Sequence, residues 1–236
     1  MSIYKRYFIF IIGIIIQAAG IAIVVRSLLG NSPISSVPYV LSLAFPYTMG
    51  VMTFFINMVF LAAQILILGS RFQKVQLLQI PMTAIFAAFI DISLYAFSGL
   101  LPELYVFKLV LLLFGASCVA LGVSLQIIAD VVMLAGEAIV NAIAIRWHFD
   151  FGKVKTAFDT SLVCMAAIFS LSWLGSIEGV REGTLISALA TGMIARFFIH
   201  HLGRVDSGGQ LVFAPHLSNY TDHIACEAGQ TTSEKN

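Results

Sequence analysis

Four side chains in the second half of the chain have types and spacing that can do chemistry. Glu137 and Asn141 stand one helical turn apart, as do Lys155 and Asp159, and both pairs interrupt apolar sequence. Residues at i and i+4 share a helix face, so Lys155 and Asp159 can pair. A charge at bilayer depth costs about 2.5–3.5 kcal/mol on insertion scales, so an ionisable group there points to function by default. Glu137 and Asp159, one of them neutralised by Lys155, are read as a site for a polar solute or a coupling proton. The same residues also allow a structural reading, a buried ion pair that fixes one element against another.

The first half offers neutral counterparts. "LLGNSPISSVPYV", Leu28 to Val40, is full of helix-breaking residues yet follows an almost unbroken apolar run. Pro33, Ser35, Ser36 and, further on, Asn57 supply hydrogen-bonding groups without charge. Gly30 and Pro33 suit the ends of a helix break, where freed N–H groups and the positive end of a half-helix face outward. The predicted site residues are therefore Pro33, Ser35, Ser36, Asn57, Glu137, Asn141, Lys155 and Asp159.

The elements that must position these groups belong to a membrane protein. Of 236 residues, 59% are hydrophobic and 11% charged, against about 25% charged in a soluble domain. A hydrocarbon core of about 30 Å needs about 20 apolar helical residues. Runs near 7–25, 48–69, 78–98, 106–128, 154–175 and 184–203 meet that need, so six spans are predicted. The first run is too long for a signal peptide, and no small-residue cleavage site follows it.

Charge sets the orientation. With the N-terminus inside, Lys5, Arg6, Arg71, Lys74, Arg146, Lys153, Lys155 and Arg204 fall on the cytoplasmic side, while Arg26, Lys108 and Arg181 fall outside. The positive-inside rule thus puts both termini in the cytoplasm, which requires an even number of spans. A transmembrane domain over 1–204 is followed by a polar stretch, 205–236, that reads as a mobile cytoplasmic tail. Arg26 and Arg196, near span ends, read as cations that snorkel to the interface, and Asp91 as a hydrogen-bonding partner for a neighbouring helix.

Compared with itself at a shift of 102 positions, the chain lays Gly13 on Gly115, Gly20 on Gly122, Gly50 on Gly152 and Asn57 on Asp159. The same register lays Pro33 on Ala135 and Ser35 on Glu137. "PMTAIFAAF" from Pro81 then matches "EGTLISALA" from Glu182, one position out of register, and completes two units of three spans, about 7–98 and 106–203. Three is odd, so the second unit is inverted relative to the first. Irregular backbone at membrane depth is tolerated only where protein or a water-filled cavity surrounds it. The breaks at 26–46 and 129–150 are therefore expected to be re-entrant segments that enter from opposite faces and meet. The alternative is a pair of interfacial loops carrying amphipathic helices.

These motifs carry a resemblance. Gly-x(6)-Gly at Gly13–Gly20, "LGNSPIS" at Leu29–Ser35 and "GVMTFFIN" at Gly50–Asn57 recur as Gly115–Gly122, Glu137 and "GKVKTAFD" at Gly152–Asp159. With "REGT" at Arg181–Thr184, the pattern over about 7–203 resembles the YczE/YitT-like bacterial membrane proteins. Many members carry an acid where Ser35 stands here, and the second unit has Ala135 in place of the proline. The resemblance implies a multi-span inner-membrane protein with transporter-like repeats and implies no substrate.

Several classes are excluded. The sequence has no H-E-x-x-H, no G-x-S-x-G and no phosphate-binding glycine loop, so no enzyme is predicted. Cys118, Cys164 and Cys226 are unclustered, and His200–His201 lacks further ligands, so no metal or cofactor is expected. A net charge of +1 and the lack of a basic patch exclude a nucleic-acid partner. The expected function is a small secondary transporter, with a polar solute and the lipid bilayer as partners and a homodimer as its assembly. A non-transporting membrane accessory that binds a biosynthetic or export partner is the alternative.

Overall fold

A computed structural model describes residues 3–69, 72–129, 131–149 and 151–202. The predicted tail, 205–236, lies outside them, as do Cys226 and the side chains of Arg196, His200 and His201. Among the described residues the regular structure is all helical. The order is α1 (Ile3–Arg26), α2 (Pro33–Ala44), α3 (Met49–Leu68), α4 (Gln79–Ala96), α5 (Tyr105–Ala129), α6 (Ala135–Trp147), α7 (Phe151–Leu174) and α8 (Glu182–Leu202). A short 3-10 turn, Lys74–Leu78, leads into α4.

The series long, short, long, long therefore occurs twice. At about 1.5 Å per residue, α2 with 12 residues and α6 with 13 reach only about two thirds of the way across a hydrocarbon core. Local sequence explains each start. Pro33 opens α2 with its φ already set and no N–H left orphaned. Thr48 caps α3, its hydroxyl oxygen accepting from Val51 N at 3.2 Å. Glu137 lies in the first turn of α6, where a negative group complements the helix dipole.

Among the described residues, five helices are long and apolar enough to span a membrane: Tyr4–Arg26, Met49–Leu68, Lys74–Ala96, Tyr105–Ala129 and Gly152–Leu174. Six were predicted from the sequence. The difference lies in α8, whose apolar part among the described residues, Glu182–Ala195, falls short of the length required. Its first turn is polar for a reason: Gly183 N donates to Leu29 O at 2.9 Å, and Thr184 is buried against Gly30.

The helices pack in two layers, each drawn from both halves of the chain. In one, α1 packs on α4 and α5, and α5 on α8; in the other, α2 packs on α3 and α7, and α6 on α3 and α7. Contact between α3 and α4 forms the seam. Phe10, Ile14, Phe86, Ile90 and Val119 dominate the core of the first layer. Val37, Val40, Ile139, Val140 and Leu162 dominate that of the second.

Glycine sets the closest approach. A Cβ on Gly20 would lie 2.8 Å from Gly115 O, and one on Gly115 would lie 2.9 Å from Gly20 O. A Cβ on Gly13 would lie 2.9 Å from Gly122 O, and one on Gly122 would lie 2.6 Å from Gly13 O. Pairing 13 with 122 and 20 with 115 makes α1 and α5 antiparallel with touching backbones, the close approach that small residues permit. Replacing Gly20 or Gly115 by Leu is expected to lower the melting midpoint of the purified protein, a loss of about 1–3 kcal/mol or more. Gly192→Leu, on α8 with nothing within 4 Å of a built Cβ, is expected to stay within about 0.5 kcal/mol. Equal effects at both sites would refute this account of the interface.

Candidate functional site

The N-termini of the two short helices abut. Gly136, second residue of α6, touches the Ile34 side chain, second residue of α2. Ser35 and Glu137, each one residue further, thus lie on adjoining first turns.

On the second half, Lys155 Nζ and Asp159 Oδ1 form an ion pair of 2.8 Å within α7, with side chains 28% and 22% exposed. Glu137 is half-buried and lies within electrostatic reach of both. The structure thus gathers the three ionisable groups singled out in the sequence. Asn141, one turn along α6, is half-buried. This arrangement holds two carboxylates around one ammonium, so the cluster carries a net negative charge when all three are ionised.

On the first half, every predicted residue is buried. Ser32 Oγ donates to Ser35 Oγ at 2.9 Å, and Ser36 Oγ donates to Ser32 O at 3.0 Å. Asn57 Nδ2 donates to Thr53 O at 2.7 Å and Thr53 Oγ1 to Met49 O at 2.8 Å. These neutral groups largely bond within their own segment; in the second half Lys155 and Asp159 pair within α7, and Glu137 on α6 lies within electrostatic reach of both.

Sequence reasoning missed three polar contacts that hold the site in place. Gln126 Nε2 donates to Gln17 Oε1 at 2.6 Å across α1 and α5, both side chains buried. Gln64 and Gln79 exchange amide hydrogen bonds at 3.3 Å between α3 and α4, and Gln64 Nε2 also donates to Ala135 O at 3.1 Å, at the start of α6. The segment 27–32 docks on α8: Asn31 N donates to Thr184 Oγ1 at 3.3 Å, and Ser187 Oγ to Asn31 O at 3.1 Å. Single glutamines in apolar sequence were the available signal, since buried amides require partners.

Asp91 also finds its place. Its carboxylate accepts from Thr48 Oγ1 at 2.6 Å and from Gly50 N at 2.8 Å, closing the N-terminus of α3. A Cβ on Gly50 would lie 2.6 Å from Asp91 Cγ, so glycine is what lets this carboxylate in. Asp91→Ala is expected to destabilise the protein by about 1–3 kcal/mol, because Gly50 N–H loses its partner. Thr48→Val should cost less, since the Gly50 bond survives; thermal melts of the two variants in detergent check the order.

No group of three or more His, Cys, Asp or Glu side chains among the described residues has the geometry of a metal site. No curated protein and no solved structure matches the chain. The model of a family of unknown function (DUF6198) matches residues 4–200, and the chain therefore belongs to that family.

Proposed function

We propose that this protein is a secondary transporter of a small polar solute in the bacterial inner membrane, built from two inverted three-span repeats with α8 as its sixth span. One observation carries the reading: the contacts pair the two halves as a two-fold axis would. Gly13 and Gly20 correspond to Gly115 and Gly122 in the repeat register, and Gly13 meets Gly122 while Gly20 meets Gly115. Residue i of one half meets the counterpart of j, and j meets the counterpart of i, the signature of a two-fold contact. Ile34 and Gly136 are counterparts that touch each other, so the axis runs between them.

Two half-helices whose positive ends meet on such an axis form the usual place for solute and coupling-ion binding in inverted-repeat transporters. Glu137 and Asp159 serve as the proton-carrying groups, with Lys155 holding the pair in register. Ser35, Ser36 and Asn57, together with Pro33 at the helix break, give the neutral half, and Asn141 extends the polar face. The likeness of the motifs to YczE/YitT-like proteins supports the same architecture.

Alternating access follows the layers. Because α1, α4, α5 and α8 pack together and α2, α3, α6 and α7 pack together, the moving bodies are these layers, with the α3–α4 seam as the hinge. Both short helices lie in the second layer, so movement of the first layer against it opens and closes access to their abutting ends.

Two measurements test this. In a cysteine-free background, Lys108→Cys should react with an impermeant maleimide on intact cells and Lys74→Cys only after permeabilisation; the reverse pattern overturns the topology. Proteoliposomes carrying an internal pH dye should show saturable, solute-dependent proton uptake. Glu137→Gln and Asp159→Asn should each reduce it at least about tenfold, the scale of losing a charged group's differential contact, while melting like the wild type. Undiminished uptake in both variants removes the proposed site. Absence of uptake for every solute in a metabolite panel supports the accessory reading instead.

A further inference from the structure

The three cations assigned to the outer side by the positive-inside rule come from three distant parts of the chain: Arg26 ends α1, Lys108 stands in the first turn of α5, and Arg181 precedes α8. The fold brings all three to one cleft. A cavity of about 180 Å³ is lined by Asn31, Tyr39, Lys108, Glu178 and Arg181. A second of about 290 Å³, lined by Arg26, Ser42, Tyr47 and Thr48, shares Val25, Leu28 and Tyr39 with the first. Tyr39 stands between the two, and the charges of Glu178, Arg26 and Arg181 all act on its hydroxyl.

Two buried polar atoms of this cleft lack partners. Asn31 is 1% exposed, and although its Nδ2 donates to Gly179 O at 3.4 Å, its Oδ1 accepts nothing. Arg26 donates through Nη2 to Leu94 O at 2.8 Å, but its buried Nε donates to nothing. Both atoms lie just behind the cavity walls and make those walls polar without facing the open space. The groups that face the open space offer a polar ligand both kinds of partner: Glu178 as acceptor for a hydrogen-bond donor, and Lys108 and Arg181 as donors for an acceptor.

From this juxtaposition we infer that the outward cleft between segment 27–32, α2, α5 and the α7–α8 connection binds a small carboxylate that also carries a donor, an α-amino or α-hydroxy acid. The charge inventory selects the class. Three cations against one carboxylate favour an anionic group, and planar guanidinium groups match carboxylate geometry. Glu178 on the rim repels a dianion such as phosphate and attracts an ammonium or hydroxyl. The cavities accommodate a solute of a few heavy atoms rather than a peptide.

The inference concerns a site separate from the Glu137–Lys155–Asp159 cluster, and binding there stands whether or not the protein transports. If the transporter reading holds, the cleft is where the solute is first captured and the inference names the solute's class.

The test is equilibrium binding to the full-length protein in nanodiscs of zwitterionic lipid, by calorimetry and by thermal shift, since a ligand of the folded state raises apparent stability. Alanine and lactate are expected to bind saturably and to raise the melting midpoint. Propionate, without the donor, should bind about tenfold more weakly, the scale of one hydrogen bond to a charged or buried group. Ethylamine and inorganic phosphate should leave the midpoint unchanged. Alanine binding tighter than lactate identifies an amino-acid site, and the reverse a hydroxy-acid site. Arg181→Gln and Lys108→Gln, on accessible side chains that leave the fold intact, should each weaken binding at least about tenfold.

Glu137→Gln should leave this binding unchanged, so a failed transport assay and a failed binding assay are told apart. The inference is overturned if no carboxylate binds, if propionate binds as well as alanine and lactate, if both glutamine variants bind normally, or if phosphate or anionic lipid produces the stabilisation instead.

Discussion

The fold depends on backbone touching backbone between α1 and α5. In lipid, no gain comes from moving an apolar side chain from tails to another helix, so helices associate through close van der Waals contact and shared hydrogen bonds. Gly13, Gly20, Gly115 and Gly122 remove the side chains that would hold the two helices apart. Gln17 and Gln126 then meet between them at 2.6 Å, in a place where an unpartnered amide would be costly. Fixing α1 against α5 fixes where segments 27–32 and 131–134 leave those helices. Because the glycine contact obeys a two-fold relation, it also makes the short helices that follow converge at Ile34 and Gly136.

The segments around the short helices illustrate a second constraint: backbone that leaves a helix inside the molecule needs partners. Segment 27–32 receives them from α8 through Gly183, Thr184 and Ser187. The start of α6 receives one from Gln64. These bonds tie each break to the other layer or its seam, so both short helices are anchored at the N-terminal ends that abut. Outward charges obey the same rule. Arg26, read as an interfacial cation from its position at a span end, reaches Leu94 O near the end of α4 and borders a cleft.

Much of this was legible in the sequence because membrane helices follow from length and hydropathy alone, with no tertiary competition to override them. The glycine register was legible for the same reason: at a touching interface no other residue fits, whereas Ile, Leu, Val and Ala interchange freely elsewhere. The Lys155–Asp159 pair was legible because its spacing is local. Partners distant in sequence were not. Nothing in "AAFIDISLY" says that Asp91 closes the N-terminus of α3, 41 residues earlier at Gly50. Gln64 and Gln79 lie 15 residues apart across a turn whose geometry no propensity fixes. The gathering of Arg26, Lys108 and Arg181 depends on the packing of three helices, which no local spacing reveals.

The repeat register exposes an asymmetry with a physical cause. Glu137, Lys155 and Asp159 correspond to Ser35, Thr53 and Asn57, three ionisable groups against three neutral ones. A short helix follows the break in each half, 12 residues in α2 and 13 in α6, yet only the second half is charged there. Two charged sets at counterpart positions would bring like carboxylates together where α2 and α6 abut, and in low dielectric such pairs cannot all remain ionised. The neutral set avoids this by bonding within its own helices, Thr53 to Met49 O and Asn57 to Thr53 O. The charged set does so only in part: Lys155 and Asp159 bond along α7, while Glu137 faces their charges from α6. The half with internal satisfaction is therefore electrically rigid, and the half whose partners span α6 and α7 changes its electrostatics whenever those two helices move or a proton is exchanged.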